Sequence, residues 1–222
     1  MNRLALDARP RPRGPLSILC LGAHADDIEI GCGGTILTLL AARRNVDCHW
    51  VVFSGGGGTR EREARRGAGL FLARARRRQI AVHSFRDGFF PYVGGEIKEA
   101  FEALAAAVSP DVVFTHTRDD RHQDHRVVSD LTWNTFRDHL ILEYEVPKYD
   151  GDLGVPNLFV PLGAATARAK VRHLQAAFGS QRKKRWFTPD TFHALLRLRG
   201  VESGAPVGLA EAFYARKAVV SF

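Results

Sequence analysis

Ser17-Ile18-Leu19-Cys20-Leu21-Gly22-Ala23-His24-Ala25-Asp26-Asp27 is an apolar run that ends on a glycine and breaks at once into imidazole and carboxylate side chains. An apolar stretch this short, with no polar face to leave in water, reads as a strand over residues 17–22 buried on both sides. A second such junction stands at Val112-Val113-Phe114-Thr115-His116, which leads into Asp120-Arg121-His122-Gln123-Asp124-His125. Between them lie apolar runs at residues 47–53 and 79–85, also strand-like. Helix-like spacing fills about 35–44, 60–76 and 96–108, and residues 122–137 after the second junction. Strands alternating with helices predict a mostly parallel sheet with helices on both faces. In such sheets ligands collect at the carboxyl ends of strands, where both polar clusters fall.

From about residue 140 the pattern changes. Residues 141–146 and 157–161 read as short strands around the turn Lys148-Tyr149-Asp150-Gly151. Residues 164–178 and 189–199 have helical spacing, and 212–220 reads as a closing strand or helix end. The run Gly31-Cys32-Gly33-Gly34 reads as a tight turn before the helix that opens near Thr35. It lacks the spacing and the following lysine of a phosphate-binding nucleotide loop.

A chain of 222 residues with 45% hydrophobic and 25% charged content fits one globular domain, expected over residues 15–222. Residues 1–14, rich in Arg and Pro, read as a flexible basic arm with no apolar signal segment. No run reaches the roughly twenty apolar residues of a membrane span. Three cysteines, Cys20, Cys32 and Cys48, form neither a disulfide framework nor a paired-cysteine zinc site, and a cytoplasmic location is expected. The formal charge of +8 favours anionic partners. Much of it sits in separate runs at residues 9–13, 74–78 and 182–185, which as solvated surface would need no partner.

Each polar cluster has a plain structural reading when taken alone. Asp26-Asp27 can be a turn or helix cap, and His24 a satisfied polar residue. Asp120, His122, Asp124 and His125 can be an exposed helix start whose acids offset the helix dipole. Two clusters at equivalent strand ends argue instead for one shared site. Two His and one Asp form a facial ligand set for zinc with an open position for water, and the carboxylates and imidazole left over suit proton transfer. Metal-assisted hydrolysis is the chemistry this pattern suggests.

The same residues resemble the PIG-L/LmbE family of zinc-dependent N-deacetylases. The likeness runs over about residues 17–216. It is carried by Ala23-His24-Ala25-Asp26-Asp27, Glu29, Gly31-Cys32-Gly33-Gly34-Thr35, Arg60 with Glu63, Asp87-Gly88 and the segment from Thr115-His116 to His125. Later echoes are Pro147-Lys148-Tyr149-Asp150-Gly151, Ser180-Gln181 and Arg199-Gly200. Ala25 stands where the family usually has Pro, with ligand types and spacing unchanged.

The resemblance implies a single-domain α/β, Rossmann-like fold that binds one Zn²⁺ per chain, a site type that also accepts other divalent metals. By position, His24, Asp27 and His125 become the metal ligands, Asp26 the general base, and His122 the acid or electrophile, protonated in that role. Asp124 would then hold a histidine in its tautomer. Arg60 and Asp87 are candidates for substrate binding. A surface pair of Arg60 with Glu63, and a simple turn at Asp87-Gly88, remain open beside that. Phe89, Phe90 and Tyr92 either wall a pocket or pack a loop, and Cys32 is not among the expected ligands.

The implied substrate is an N-acetylated amino sugar in a glycoside, glycolipid or nucleotide-linked form, and the basic balance favours one carrying phosphate. Relatives often form homo-oligomers, so the resemblance leaves room for one. Two alternatives stay in view: an amidase for a larger N-acyl or antibiotic-type conjugate, and a basic nucleotide- or nucleic-acid-binding module. Against the second, the basic runs lie on separate segments and no nucleic-acid motif is recognisable.

Overall fold

A computed structural model describes residues 14–219. The arm expected over residues 1–14 thus falls almost wholly outside the described residues. The elements run β1 (Leu16–Gly22), α1 (Asp27–Ala42), β2 (Val46–Ser54), α2 (Thr59–Phe71), β3 (Arg77–Phe85), α3 (Gly94–Ala107), β4 (Val112–His116), α4 (Gln123–Thr135), β5 (Leu140–Tyr144), β6 (Leu158–Pro161), α5 (Ala164–Ala177), α6 (Pro189–Glu202) and β7 (Ala210–Tyr214).

Seven strands form one sheet in the order β3-β2-β1-β4-β5-β7-β6. β1 lies parallel to β2 from Leu16↔Val46 to Gly22↔Val52, and parallel to β4 from Ile18↔Val112 to Cys20↔Phe114. β3 and β5 extend the parallel sheet outward on either side, while β7 runs antiparallel to both β5 and β6. The chain therefore winds outward from β1 in one direction and from β4 in the other. The crevice beyond the carboxyl ends of these two strands is the switch point where such sheets bind ligands.

Alternation along the central strands supplies two cores. Ile18, Cys20, Trp50, Val52 and Phe114 face the side covered by α1, α2, α5 and α6. Leu19, Leu21, Val51, Phe53 and Val113 face α3 and α4. Helices on both faces and a mostly parallel sheet are as expected.

Three details differ from the sequence expectations. First, α1 begins at Asp27 rather than near Thr35, and the glycine run lies inside the helix. Its glycines are demanded by packing: a Cβ on Gly31 would come 2.1 Å from the Tyr144 ring, on Gly33 2.4 Å from Phe71, and on Gly34 2.5 Å from Leu162. Each interior glycine costs a helix about 1 kcal/mol relative to Ala, which close packing offsets. In the same stretch a buried ion pair meets the helix backbone. Glu211 accepts from the Gly34 and Thr35 N–H groups at 2.7 and 2.6 Å, and Lys170 donates to the Ile30 carbonyl and to Glu211.

Second, the two short strands around residues 148–151 are not neighbours, because β7 inserts between them. Third, the closing segment is the strand β7 over Ala210–Tyr214, earlier than the expected 212–220.

Gly31→Ala should therefore destabilise the protein. Overpacking costs about 1–3 kcal/mol, which in a chain of this size lowers the melting temperature by roughly 2–12 °C. An unchanged or higher melting temperature would mean that Tyr144 yields at no cost.

Candidate metal centre

β1 ends at Gly22, and the chain reaches the first turn of α1 through four residues. Asp27 Oδ2 accepts the His24 N–H at 2.6 Å, which folds this link back on itself. The Ser54 N–H and hydroxyl hold the Ala23 carbonyl from the end of β2, and the Ala23 N–H donates to His116 Nε2 at 3.0 Å at the end of β4. The two clusters are thus joined through the sheet's central strands.

Across the switch point, His24 Nδ1 lies 3.1 Å from His125 Nε2 and 3.2 Å from Asp27 Oδ2, and His125 Nε2 lies 3.4 Å from Asp27 Oδ2. Ligand atoms placed tetrahedrally on a zinc ion with bonds of about 2.0–2.1 Å stand about 3.3 Å apart. The spacing of the three donor atoms is close to that. Overlapping triplets of donor atoms surround it: His24, His122 and His125; Asp27, His116 and His125; and His24, Asp87 and Asp124. Asp27 and His125 are buried, and His24 is mostly so.

The outer nitrogens of both histidines are held by carboxylates. His24 Nε2 meets Asp124 Oδ2 at 3.2 Å and Asp87 Oδ1 at 3.1 Å, while His125 Nδ1 meets Asp120 Oδ2 at 2.9 Å. A carboxylate on the outer nitrogen fixes the tautomer that turns the inner lone pair toward a metal. Asp124 is itself fixed by N–H groups from Gly88 at 2.6 Å and Phe90 at 3.1 Å, so the loop after β3 is anchored to the second motif.

The local electrostatics favour positive charge at this point. Burial opposes a proton on His24, yet Asp27's charge and the contacts to Asp124, Asp27 and Asp87 raise its pKa well above the ordinary value. Burial likewise works against an ionised Asp27, but the neighbouring imidazoles, His125 first, hold it well below the usual carboxylate range. His125 is pushed down to about 3, by burial first and then by His116, so its ring is neutral and its lone pair available.

Asp26 lies beside the triangle and outside it. Its Oδ1 accepts from Arg60 at 2.6 Å, while Oδ2 is buried with no hydrogen-bond partner among the described residues. Burial raises its pKa, with the Arg60 charge pulling the other way. Asp26 makes no side-chain cap on α1, so the plain capping reading of the pair does not describe it.

His122 is the N-cap of α4, its Nδ1 accepting the Asp124 N–H at 3.3 Å. Its ring stacks on His125 at 4.5 Å and meets His24 edge-on at 4.8 Å, which brings the two histidines of the second motif together. Burial, then the His24 charge, pushes the His122 pKa down. With Nδ1 accepting from the Asp124 N–H, the ring proton is carried on Nε2.

Arg60 pairs with Glu63 at 2.8 Å, but Glu63 is buried rather than on the surface, and the same guanidinium reaches into the site on Asp26. Asp87 keeps an exposed carboxylate, 74% accessible, at the rim. The aromatic group divides: Phe90 is a core residue, while Phe89, with Arg86 stacked on its ring, and Tyr92 are exposed.

Glu29 is buried with neither carboxyl oxygen partnered among the described residues, and burial drives its pKa well up. Cys32 donates to the Ile28 carbonyl inside α1, away from the cluster. Sequence reasoning did not commit to Asp120 or His116. Their signals were position alone: Asp120 stands five residues before His125, and His116 is the last residue of β4.

A mostly parallel α/β sheet with a His₂Asp donor triangle at its switch point defines a Rossmann-like protein with a candidate metal site. The family model described as PIG-L, GlcNAc-PI de-N-acetylase, matches residues 19–136, more than half the chain and both motifs, and the chain belongs to that family. Among solved structures it is similar to the conserved protein TT1542 from Thermus thermophilus, with 20% identity over 93% of this chain and 97% of that one and a TM-score of 0.71. It also resembles the N,N'-diacetylchitobiose deacetylase from Pyrococcus horikoshii, with 20% identity, coverage of 89% and 82%, and a TM-score of 0.64. A third neighbour, GalB from Pseudomonas putida, is a 4-carboxy-2-hydroxymuconate hydratase, with 15% identity, coverage of 93% and 98%, and a TM-score of 0.69. No curated protein sequence matches the chain. The shared fold thus carries more than one reaction, and the chemistry here must be argued from the site. Among the described residues no helix is long and apolar enough to cross a membrane.

Proposed function

We propose that the protein is a zinc-dependent hydrolase that removes the acetyl group from an N-acetylated amino sugar. The observation that carries this reading is the donor triangle of His24, Asp27 and His125 with the unpartnered Asp26 oxygen beside it. When bound there, a divalent ion supplies Lewis-acid polarisation and lowers the pKa of a ligated water from 15.7 to about 7.

The chain's own groups account for the proton traffic. Asp26 takes the proton of the attacking water on Oδ2, while Arg60 holds Oδ1 and keeps the carboxylate from swinging into the ligand set. Its raised pKa brings it closer to the working pH, which suits a general base. His122 offers its Nε2 proton to the oxygen on which negative charge builds, a contact that strengthens in the transition state. Once protonated, Asp26 is the buried acid at hand for the leaving amine. Asp124 and Asp120 hold the two ligand imidazoles.

We assign Arg60 and the exposed Asp87 to recognition of the sugar's polar groups. The exposed run Arg182-Lys183-Lys184-Arg185 begins two residues after Ser180, whose hydroxyl lies 3.4 Å from Arg60. The formal charge of +8 supports a substrate that carries phosphate.

The test is acetate release from free, glycosidic and nucleotide-linked N-acetylhexosamines, with and without a chelator. The expected result is chelator-sensitive release, greatest for the nucleotide-linked member. Chelator-insensitive release, or none from any sugar by metal-loaded protein, would contradict the reading. Release only from larger N-acyl compounds would move the activity to the conjugate-amidase alternative.

A further inference from the structure

The loop joining β5 to β6 contains Lys148, which the family-like site does not use. Its side chain is only 9% exposed, and its ammonium lies 3.0 Å from Asp120 Oδ1 and 2.5 Å from Asp152 Oδ2. Asp120 in turn bonds His125 Nδ1 through Oδ2 and accepts the His122 N–H at 2.8 Å on Oδ1. Asp152 also accepts the Arg121 N–H at 2.7 Å, so the loop grips residues 120–122 at two points.

The buried Asp120 carboxylate thus has one oxygen facing a cation from a distant loop and the other facing His125. A carboxylate held from both ends cannot rotate, and its second oxygen stays aimed at the imidazole. The cation also compensates a charge that would otherwise be buried beside Asp152 with less to offset it.

We propose that Lys148 is a positioning residue that sets how tightly the site retains its metal ion, acting through Asp120 on His125. The inference rests on the reading of His125 as a ligand. It makes the loop after β5 part of the metal centre, although none of its residues reaches the donor triangle. Removing a carboxylate partner of a metal-bound histidine typically weakens metal binding about 10–100-fold. Lys148 stands one contact further out, so a loss of about tenfold is expected.

The experiment is a titration of the metal-free protein with Co²⁺, followed by its visible absorption, and with Zn²⁺ in competition with a chelator. Lys148→Met and Lys148→Gln should each bind the ion about tenfold more weakly than the native chain, read at a temperature where each variant is folded by circular dichroism, since losing the buried cation also lowers the melting temperature. Lys148→Arg, which keeps a cation between the carboxylates, should bind within about threefold of native. In an Asp120→Asn background, where the link is already cut, Lys148→Met should add less than about threefold. Unchanged affinity in Lys148→Met and Lys148→Gln, or an equal loss in the Asp120→Asn background, overturns the inference. A native chain that binds no ion overturns the reading of the site as well, so the two failures are distinguishable.

Discussion

Asp26→Asn should lower kcat by about 10²–10⁴-fold while leaving the metal content unchanged. Asparagine preserves the side chain's shape, and its amide oxygen can still accept from Arg60, but it cannot take a proton. The geometry separates this residue from the ligands next to it. Asp27 Oδ2 lies within 3.4 Å of three imidazole nitrogens, whereas Asp26 Oδ1 is held by Arg60 and Oδ2 by no group among the described residues. Two adjacent aspartates on a helix start thus point to different tasks. Burial pushes the Asp26 carboxyl up, and the Arg60 guanidinium moderates the rise. The measurement is steady-state kinetics together with metal analysis of the same preparation. Near-native kcat in Asp26→Asn would remove Asp26 as the base. A parallel loss of metal would move it into the ligand set.

The second large effect is expected at His125. His125→Ala should take bound metal from about one ion per chain to near none and abolish hydrolysis, with no recovery when zinc is added back. In the native chain, chelation should abolish the same activity and zinc should restore it. Both nitrogens of His125 are committed, Nε2 to the donor triangle and Nδ1 to Asp120, and the ring is buried between His116 and His122. Metal analysis and rescue assays check this directly. Full metal occupancy in His125→Ala would shift the centre to another of the overlapping triplets.

The parts of the molecule legible in the sequence were those whose signal is local. β1 and β4 are apolar runs buried on both faces, so their positions, and that of the polar residues after them, follow from the run itself. The start of α1 was not legible, because Gly31, Gly33 and Gly34 look like turn residues until Tyr144, Phe71 and Glu211 are seen against them. Those neighbours lie 38 or more positions away in the chain. The insertion of β7 between β5 and β6 is likewise a matter of tertiary pairing that short strands do not announce.

At the site, the two motifs name the donor triangle, and the structure brings its three members within hydrogen-bonding distance of one another. Asp124 was expected to hold a histidine and lies on His24, but the partner of His125 is Asp120. Which of two nearby acids serves which ring depends on how α4 is capped, with His122 rather than an acid on the Asp124 N–H. Lys148 showed in the sequence only as part of a turn and a family echo, with nothing to tie it to the site. Its part in the cluster exists only because the loop after β5 folds back onto residues 120–122.

On the proposed reading, His24, Asp27 and His125 together hold one divalent ion at the switch point. Anomalous diffraction at the zinc edge, from crystals of the full chain loaded with one equivalent of zinc, tests it most directly. A single strong peak about 2.0–2.2 Å from His24 Nδ1, Asp27 Oδ2 and His125 Nε2 is expected. A peak among His24, Asp87 and Asp124 instead, or no ordered zinc near Asp27, would contradict it.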